Sequence, residues 1–158
     1  MGFSPVGLIV ALVMLAPSLA LWAWPPRTPL PGGRVPWPLA WLETAGQALC
    51  VATAVFVVPG EMVATWAIPT VVTIVAYHAL WARFLFGGRA AATLYAAWWV
   101  VPIPMAIVPV LAFLGAAFSL SNPWLAVSAV ILAAGHVPAS ALRVRAGGGR
   151  PWPDRMSI

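Results

Sequence analysis

The chain has 158 residues, of which 63% are hydrophobic and only 7% are charged, and its mean hydropathy is +0.96. A soluble domain carries about 25% charged residues, so this composition excludes a water-soluble globular protein and predicts an integral membrane protein. The net charge of +5 comes from eight arginines and no lysine, a bias typical of loops beside anionic headgroups rather than of nucleic-acid binding.

Five apolar runs are long enough to cross ~30 Å of hydrocarbon, which takes about 20 residues. They cover residues 6–24, 39–58, 62–86, 90–118 and 123–142. We therefore predict an all-α, polytopic bundle of five transmembrane helices over residues 1–142. Residues 143–158 contain four arginines and a run of three glycines, which predicts a basic, disordered tail.

The arginines predict the orientation of the bundle. With five spans, all eight fall in the first loop, around the third loop or in the tail, on one side of the membrane. The positive-inside rule makes this side cytoplasmic, with the N-terminus outside, and predicts a multi-pass protein of the bacterial inner membrane. The alternative, a cleaved signal peptide ending near Ala20, lacks the basic residues that normally precede the apolar region.

The segment between the first two runs, Trp22 to Trp41, is rich in tryptophan and proline. Proline fixes φ and has no N–H to donate, so this segment cannot continue a helix. It is predicted to be a stiff cytoplasmic connector that covers the end of the bundle as a lid. Its tryptophans, with Trp81, are predicted to anchor the inner interface, and Trp66 and Trp124 the outer one.

The fourth run contains Pro102 and Pro104 near its middle, followed by Pro109. Each proline removes a backbone hydrogen bond, and the residue before a proline avoids the α conformation. We therefore predict a kink or break, with Val101 and Ile103 in extended geometry. Transporters use such breaks to build binding sites.

Polar side chains within the spans cluster toward the arginine-rich side. Such groups are costly in lipid and tend to face the bundle interior. Provided that the second, third and fifth spans are neighbours, they predict a pocket in the inner leaflet for a small apolar or aromatic ligand. Its candidate residues are Glu43, Gln47, Tyr77, His78, Trp81, Trp98 and His136.

Other functions are compatible with the same residues. His78 and His136 are candidates for bis-histidine haem ligation, and Glu43 or a histidine for a base acting on a lipid headgroup. No close-spaced motif indicates a metal site, no nucleophile is evident, and no cofactor or catalytic residue is identified. The small residues Ala129 and Ala133 instead suggest an assembly subunit that docks on other membrane helices or on itself.

Two family resemblances follow from particular segments. The Trp/Pro-rich connector and the segment His78 to Phe86 resemble the tryptophan-rich sensory protein (translocator protein) family, which implies a five-helix bundle with an interior pocket for porphyrins or other aromatic ligands. Trp24-Pro25-Pro26, Glu43 to Gln47 and Ile103-Pro104 resemble a group of small uncharacterised bacterial multi-pass membrane proteins more closely. That second resemblance implies no activity.

Overall fold

A computed structural model describes residues 2–29, 33–98 and 101–146, and over these residues the chain forms α-helices joined by loops. The helices are α1 (Pro5–Ala23), α2 (Trp37–Phe56), α3 (Ala64–Phe86), α4 (Ala91–Tyr95), α5 (Pro104–Ser119) and α6 (Pro123–Ala146). Four of them, α1, α2, α3 and α6, are long and apolar enough to cross a membrane, and α5 is a shorter apolar helix. The chain is thus an all-helical, multi-pass membrane protein.

Local capping explains where two of these helices begin. The hydroxyl of Ser4 accepts a hydrogen bond from the N–H of Gly7 (3.0 Å), and Pro5 occupies the first turn of α1. At α6, the side-chain oxygen of Asn122 accepts from the N–H of Leu125 (3.0 Å). Both arrangements satisfy N–H groups that lack a partner within the helix.

The last helix is longer than the sequence suggests. We expected it to end at Leu142 and the tail to be disordered from Arg143, but α6 continues to Ala146 and carries Arg143 and Arg145 in its last turn. Basic side chains are favourable there because the C-terminal end of a helix dipole is negative. The remainder of the predicted disordered tail lies outside the described residues.

The predicted fourth span, residues 90–118, is two helices rather than one. The short α4 ends at Tyr95 and α5 begins at Pro104, so a break lies where the prolines predict it. Trp98 and Val101 exchange two backbone hydrogen bonds of 3.1 Å within the break. Ile103 is not extended as expected but left-handed, with φ of 48°. At ~1.5 Å per residue, the 16 residues of α5 reach only about 24 Å.

The helices pack in two extensive pairs, α2 with α6 and α3 with α5, and α5 joins the pairs by also packing on α6. Helix α1 packs chiefly on α2. The second and fifth predicted spans are therefore neighbours, as the pocket requires. The third span, α3, packs instead on α5, and it faces α2 and α6 across an internal cavity.

One end of the bundle, here called the basic end, is formed by the described residues 24–29 and 33–36 of the loop 24–36, the turn between α3 and α4, and the last turn of α6. The N–H of Arg27 donates to the carbonyl of Arg89 (2.9 Å), and the N–H of Ala91 donates to the hydroxyl of Thr28 (2.8 Å). At the opposite end, the N–H of Gly60 donates to the carbonyl of Leu120 (2.9 Å). All arginines among the described residues therefore belong to the basic end.

Most tryptophans lie on the outside of the bundle, as interfacial anchors do. Trp22, Trp37 and Trp41 are 90%, 73% and 66% exposed. Trp81 is different, because it is buried in the core and contacts Phe84 edge-on. The expectation that Trp81 anchors the inner interface is therefore wrong, since its helix turns this side chain toward α5 and the cavity.

Candidate functional site

Two glycines let α2 and α6 approach to backbone contact. A Cβ atom added to Gly46 would lie 2.5 Å from the Cα of Leu132, and one added to Gly135 would lie 2.6 Å from the carbonyl carbon of Leu42. Real Cβ atoms are not found at such distances, so only glycine fits at these positions. The close approach brings Glu43 on α2 beside His136 on α6.

Glu43, His136 and Arg143 form one cluster of ionisable side chains, here called the carboxylate cluster. One carboxylate oxygen of Glu43 accepts hydrogen bonds from Nδ1 of His136 (2.7 Å) and from Arg143 (3.1 Å), and the other accepts from Arg143 (2.9 Å). Because a carboxylate only accepts hydrogen bonds, Nδ1 of His136 carries the proton of this contact. The two-point contact of Arg143 fixes both position and orientation.

The cluster is largely removed from solvent. The side chain of Glu43 is 12% exposed, and those of His136 and Arg143 are 20% and 27% exposed. Placing a lone carboxylate here would be costly, and the guanidinium compensates its charge. The arrangement is therefore a neutralised ion pair with an imidazole attached.

Arg143 is the functional candidate that sequence reasoning missed, because we counted its charge with the tail. A signal was present in the spacing. His136, Ser140 and Arg143 are separated by four and three residues, which places them on one face of a continuous helix. Extending the predicted helix past Leu142 would have placed the arginine beside the histidine.

A cavity of about 310 Å³ lies next to the carboxylate cluster, between the helices. This volume is at the lower end of the ~300–1,000 Å³ typical of ligand pockets. Most of its wall is apolar, and its polar groups are few. The lining residues of α1 and α2 are Met14, Leu15, Ser18, Leu21, Gln47 and Val51; those of α3, α4 and α5 with its N-cap are Tyr77, Trp81, Leu94, Tyr95, Ile103, Met105, Pro109 and Phe113; those of α6 are Leu132, His136, Ser140 and Arg143.

The structure brings four of the seven predicted pocket residues to this cavity: Gln47, Tyr77, Trp81 and His136. Glu43 does not line it but holds His136 and Arg143, which do. The broken fourth span also contributes, through Ile103 and Met105 on either side of Pro104.

Two predicted pocket residues lie elsewhere. His78 does not line the cavity, and its Nδ1 donates to the carbonyl of Ile74 in its own helix (2.9 Å). Trp98 is 46% exposed in the break and is also absent from the wall. His78 follows Tyr77 directly, and adjacent helical residues point about 100° apart, so only one of them faces the cavity.

The indole of Trp81 adds an unusual group to the wall. Its Nε1–H is buried and has no hydrogen-bond partner among the residues that the structure describes. A buried donor without an acceptor costs about 1–3 kcal/mol. Trp81 meets Tyr77 edge-on, with ring centroids 6.3 Å apart.

The haem and metal interpretations find little support in this geometry. His78 and His136 do not face a common cavity. Within residues 2–29, 33–98 and 101–146, no group of three or more His, Cys, Asp or Glu side chains is placed to hold a metal ion. Bis-histidine ligation would need both imidazoles to face one cavity, and the wall of this cavity contains His136 but not His78.

The interpretation as an enzyme acting on lipid meets one geometric requirement and lacks another. Glu43 and His136 are within 2.7 Å, close enough for a carboxylate to orient a histidine base. In the described part of the chain, however, His136 has no hydrogen bond to a hydroxyl or thiol. A histidine base without an adjacent nucleophile does not define a covalent mechanism.

Comparison of the chain with protein-family models, with curated proteins and with solved structures finds no match. The two family resemblances drawn from the sequence therefore stay predictions. The functional argument is carried by the cavity and the carboxylate cluster.

Proposed function

We propose that this protein binds a small apolar or aromatic molecule in the cavity between its helices. The observation that carries the proposal is the partly enclosed, mainly apolar cavity with His136 and Arg143, both held by Glu43, on its wall. Pockets that bind small molecules have this composition, an apolar wall with a few fixed polar groups that orient the ligand. The two-point ion pair fixes the orientation of Arg143, and the break between α4 and α5 gives the wall an irregular shape. Both features would let the cavity distinguish between ligands.

We further propose that the basic end faces the cytoplasm and that the N-terminus lies outside, in a five-pass arrangement in the bacterial inner membrane. The grouping of the arginines supports this orientation through the positive-inside rule. The cavity then lies in the inner leaflet, because Arg143 on its wall is within one turn of the end of α6.

The loop 24–36 is proposed to act as a lid at the basic end. Thr28 bonds to the start of α4, and a Cβ on Gly33 would lie 3.1 Å from the carbonyl oxygen of Leu142 on α6. The loop thus connects opposite sides of the bundle. None of its described residues lines the cavity, so it would control access rather than contact the ligand.

Binding can be tested with 2-methylnaphthalene as the probe. The full chain in lipid nanodiscs is compared with empty nanodiscs by equilibrium dialysis, and saturable binding at one site is expected. Val51→Phe, which fills the cavity from α2, should abolish this binding. Leu49→Phe introduces the same side chain on the same helix. Leu49 is exposed and lies outside the cavity wall, so this variant should not change the binding. Equal binding by both variants would exclude the cavity as the site.

The assembly-subunit alternative loses the motif that suggested it. Ala129 is fully buried inside the chain's own bundle and Ala133 packs against the same core, so this pair is not available to a partner. Purification from membranes at native size distinguishes the two functions. A stable partner at fixed stoichiometry would favour assembly over ligand binding.

A further inference from the structure

The hydrogen-bonding groups of the cavity are unbalanced toward donors. Arg143 uses part of its guanidinium on Glu43, and its other N–H groups have no acceptor among the described residues. The indole N–H of Trp81 makes no well-aligned hydrogen bond there, and the hydroxyl of Tyr77 is the acceptor beside it. The hydroxyls of Tyr77, Tyr95 and Ser140 donate or accept equally well. Arginine and tryptophan only donate, so the imbalance comes from them.

The carboxylate of Glu43, which holds two wall residues without lining the cavity itself, has its acceptors already used. The two carboxylate oxygens of Glu43 receive three hydrogen bonds from His136 and Arg143. The remaining acceptors are the Nε2 atom of a neutral His136, the side-chain oxygen of Gln47 and the hydroxyls. A ligand with acceptor oxygens could accept hydrogen bonds from the remaining N–H groups of Arg143 without breaking an existing contact.

The charges at the cavity restrict the ligand further. Glu43 and Arg143 cancel each other, so the wall has no net charge to offer while His136 is neutral. An anionic ligand would place an uncompensated negative charge in a poorly solvated space, which is unfavourable. A cation would face the guanidinium of Arg143. The electrostatics therefore favour a neutral ligand.

Resting on the proposed function, we propose that the ligand is a neutral, membrane-soluble carbonyl compound with a flat apolar body, of the chemical class of small quinones and aryl ketones. Its carbonyl oxygen accepts from Arg143 at the polar part of the wall. Its rings contact the apolar and aromatic side chains, among them Trp81 and Phe113. Carbonyl oxygens only accept hydrogen bonds, which matches the excess of donors.

Three probes of nearly equal size test the chemical class: menadione, which carries two ring carbonyls, 2-methylnaphthalene, which carries none, and 2-naphthoic acid, which is anionic. Equilibrium dialysis against the full chain in nanodiscs measures all three. Menadione should bind about tenfold tighter than 2-methylnaphthalene, the gain expected from one hydrogen bond to a charged donor. The naphthoate should bind no more tightly than 2-methylnaphthalene.

A matched pair of variants assigns the donor. Arg143→Lys keeps the charge opposite Glu43 but loses the planar set of donors, so it should remove most of the menadione advantage and leave 2-methylnaphthalene binding unchanged. Arg145→Lys makes the same change in the same helical turn, at an exposed position outside the wall, and should change neither. Trp81→Phe tests the second donor, with a smaller loss of about threefold.

The outcomes separate this inference from the proposed function. If menadione and 2-methylnaphthalene bind equally, or if the naphthoate binds tightest, the carbonyl assignment is wrong while the cavity remains a binding site. If none of the three probes binds saturably, both proposals fail. If Arg143→Lys and Arg145→Lys weaken menadione equally, the donor is not Arg143 and the assignment is overturned.

Discussion

At the scale of single residues, the two histidines of the chain have different surroundings. His136 is tied to Glu43 on a neighbouring helix, whereas His78 is bonded to its own backbone at Ile74. The sequence shows both as histidines in apolar spans at similar distances from a helix end. It does not show that the face of α3 turned to the cavity carries Tyr77 instead, because that choice depends on helix packing.

We expect replacement of the two histidines to affect ligand binding differently. His78→Ala should leave binding of 2-methylnaphthalene within about twofold of the unsubstituted chain, because His78 lies outside the cavity. His136→Ala should change it, since this variant opens the wall and leaves one carboxylate contact of Glu43 unmade. Dialysis in nanodiscs checks both, and a larger effect of His78→Ala would contradict the assignment of the cavity.

The ion pair between Glu43 and Arg143 should appear as a coupling free energy. Removing one partner leaves a partly buried charge unpaired, so Glu43→Gln and Arg143→Met should each destabilise the protein. The double variant should be less destabilised than the sum of the two, by about 1–3 kcal/mol. Unfolding of all four chains in one detergent measures the coupling. Additive single effects would show that the pair contributes orientation but no stability.

At the scale of helices, the sequence predicts well where the helices are and predicts poorly which helices pack against each other. The bounds of α1, α2 and α3 agree with the predicted runs to within a few residues, because hydrophobic length alone defines a span. The partners could not be predicted, since spans that are apolar on every side show no preferred face. The site was predicted in part because buried polar groups point inward, whichever helix they meet.

The contact between α2 and α6 should be intolerant of any side chain at Gly135. Gly135→Ala places a Cβ against the backbone of Glu43 and Leu42, which should separate the helices and cost about 1–3 kcal/mol. Ala134→Val is the matched control, because Ala134 is the residue next to Gly135 and its side chain is exposed. Thermal unfolding in detergent measures both variants. A stable Gly135→Ala protein would mean that the helices can separate freely.

The break between α4 and α5 should depend on its prolines. Replacing Pro102 and Pro104 together by alanine restores two N–H donors and lets the helix continue through the cavity wall. We expect increased helical circular dichroism and loss of probe binding, because Ile103 and Met105 would move. Pro109→Ala lies inside α5 and serves as the control for helicity. Unchanged binding in the double variant would exclude the break as part of the site.

At the scale of the whole molecule, the sequence predicts that the arginines lie at one end of the bundle, and those among the described residues do, while the orientation drawn from them stays a prediction. Arg27 and Arg89, far apart in the chain, are joined by a backbone hydrogen bond at the basic end. What hydropathy could not predict is that the fourth apolar run forms a short helix and a second helix of 16 residues, with a break between them. Hydropathy measures how apolar a run of residues is, but it does not show whether prolines within the run interrupt the helix.

Site-directed labelling tests the orientation of the membrane passes. In a Cys50→Ala background, which removes the buried thiol of α2, Glu61→Cys and Arg34→Cys place thiols at opposite ends. An impermeant maleimide should label intact cells at residue 61, and should label residue 34 only after permeabilisation. The reverse pattern would invert the orientation, and labelling of both in intact cells would show that α2 does not cross the membrane.

The carboxylate cluster joins residues that are 93 and 100 positions apart, which has a consequence for biosynthesis. At about 5–20 residues per second, translation reaches His136 about 5–20 s after Glu43. In a chain that inserts as it is made, the acidic side chain of Glu43 on α2 precedes both of its partners by this interval. Glu43 lies near the start of α2, where interfacial water can hydrate it until α6 arrives. In that order of synthesis the addition of α6 completes the cavity, and a chain truncated before α6 would leave the carboxylate of Glu43 without His136 and Arg143.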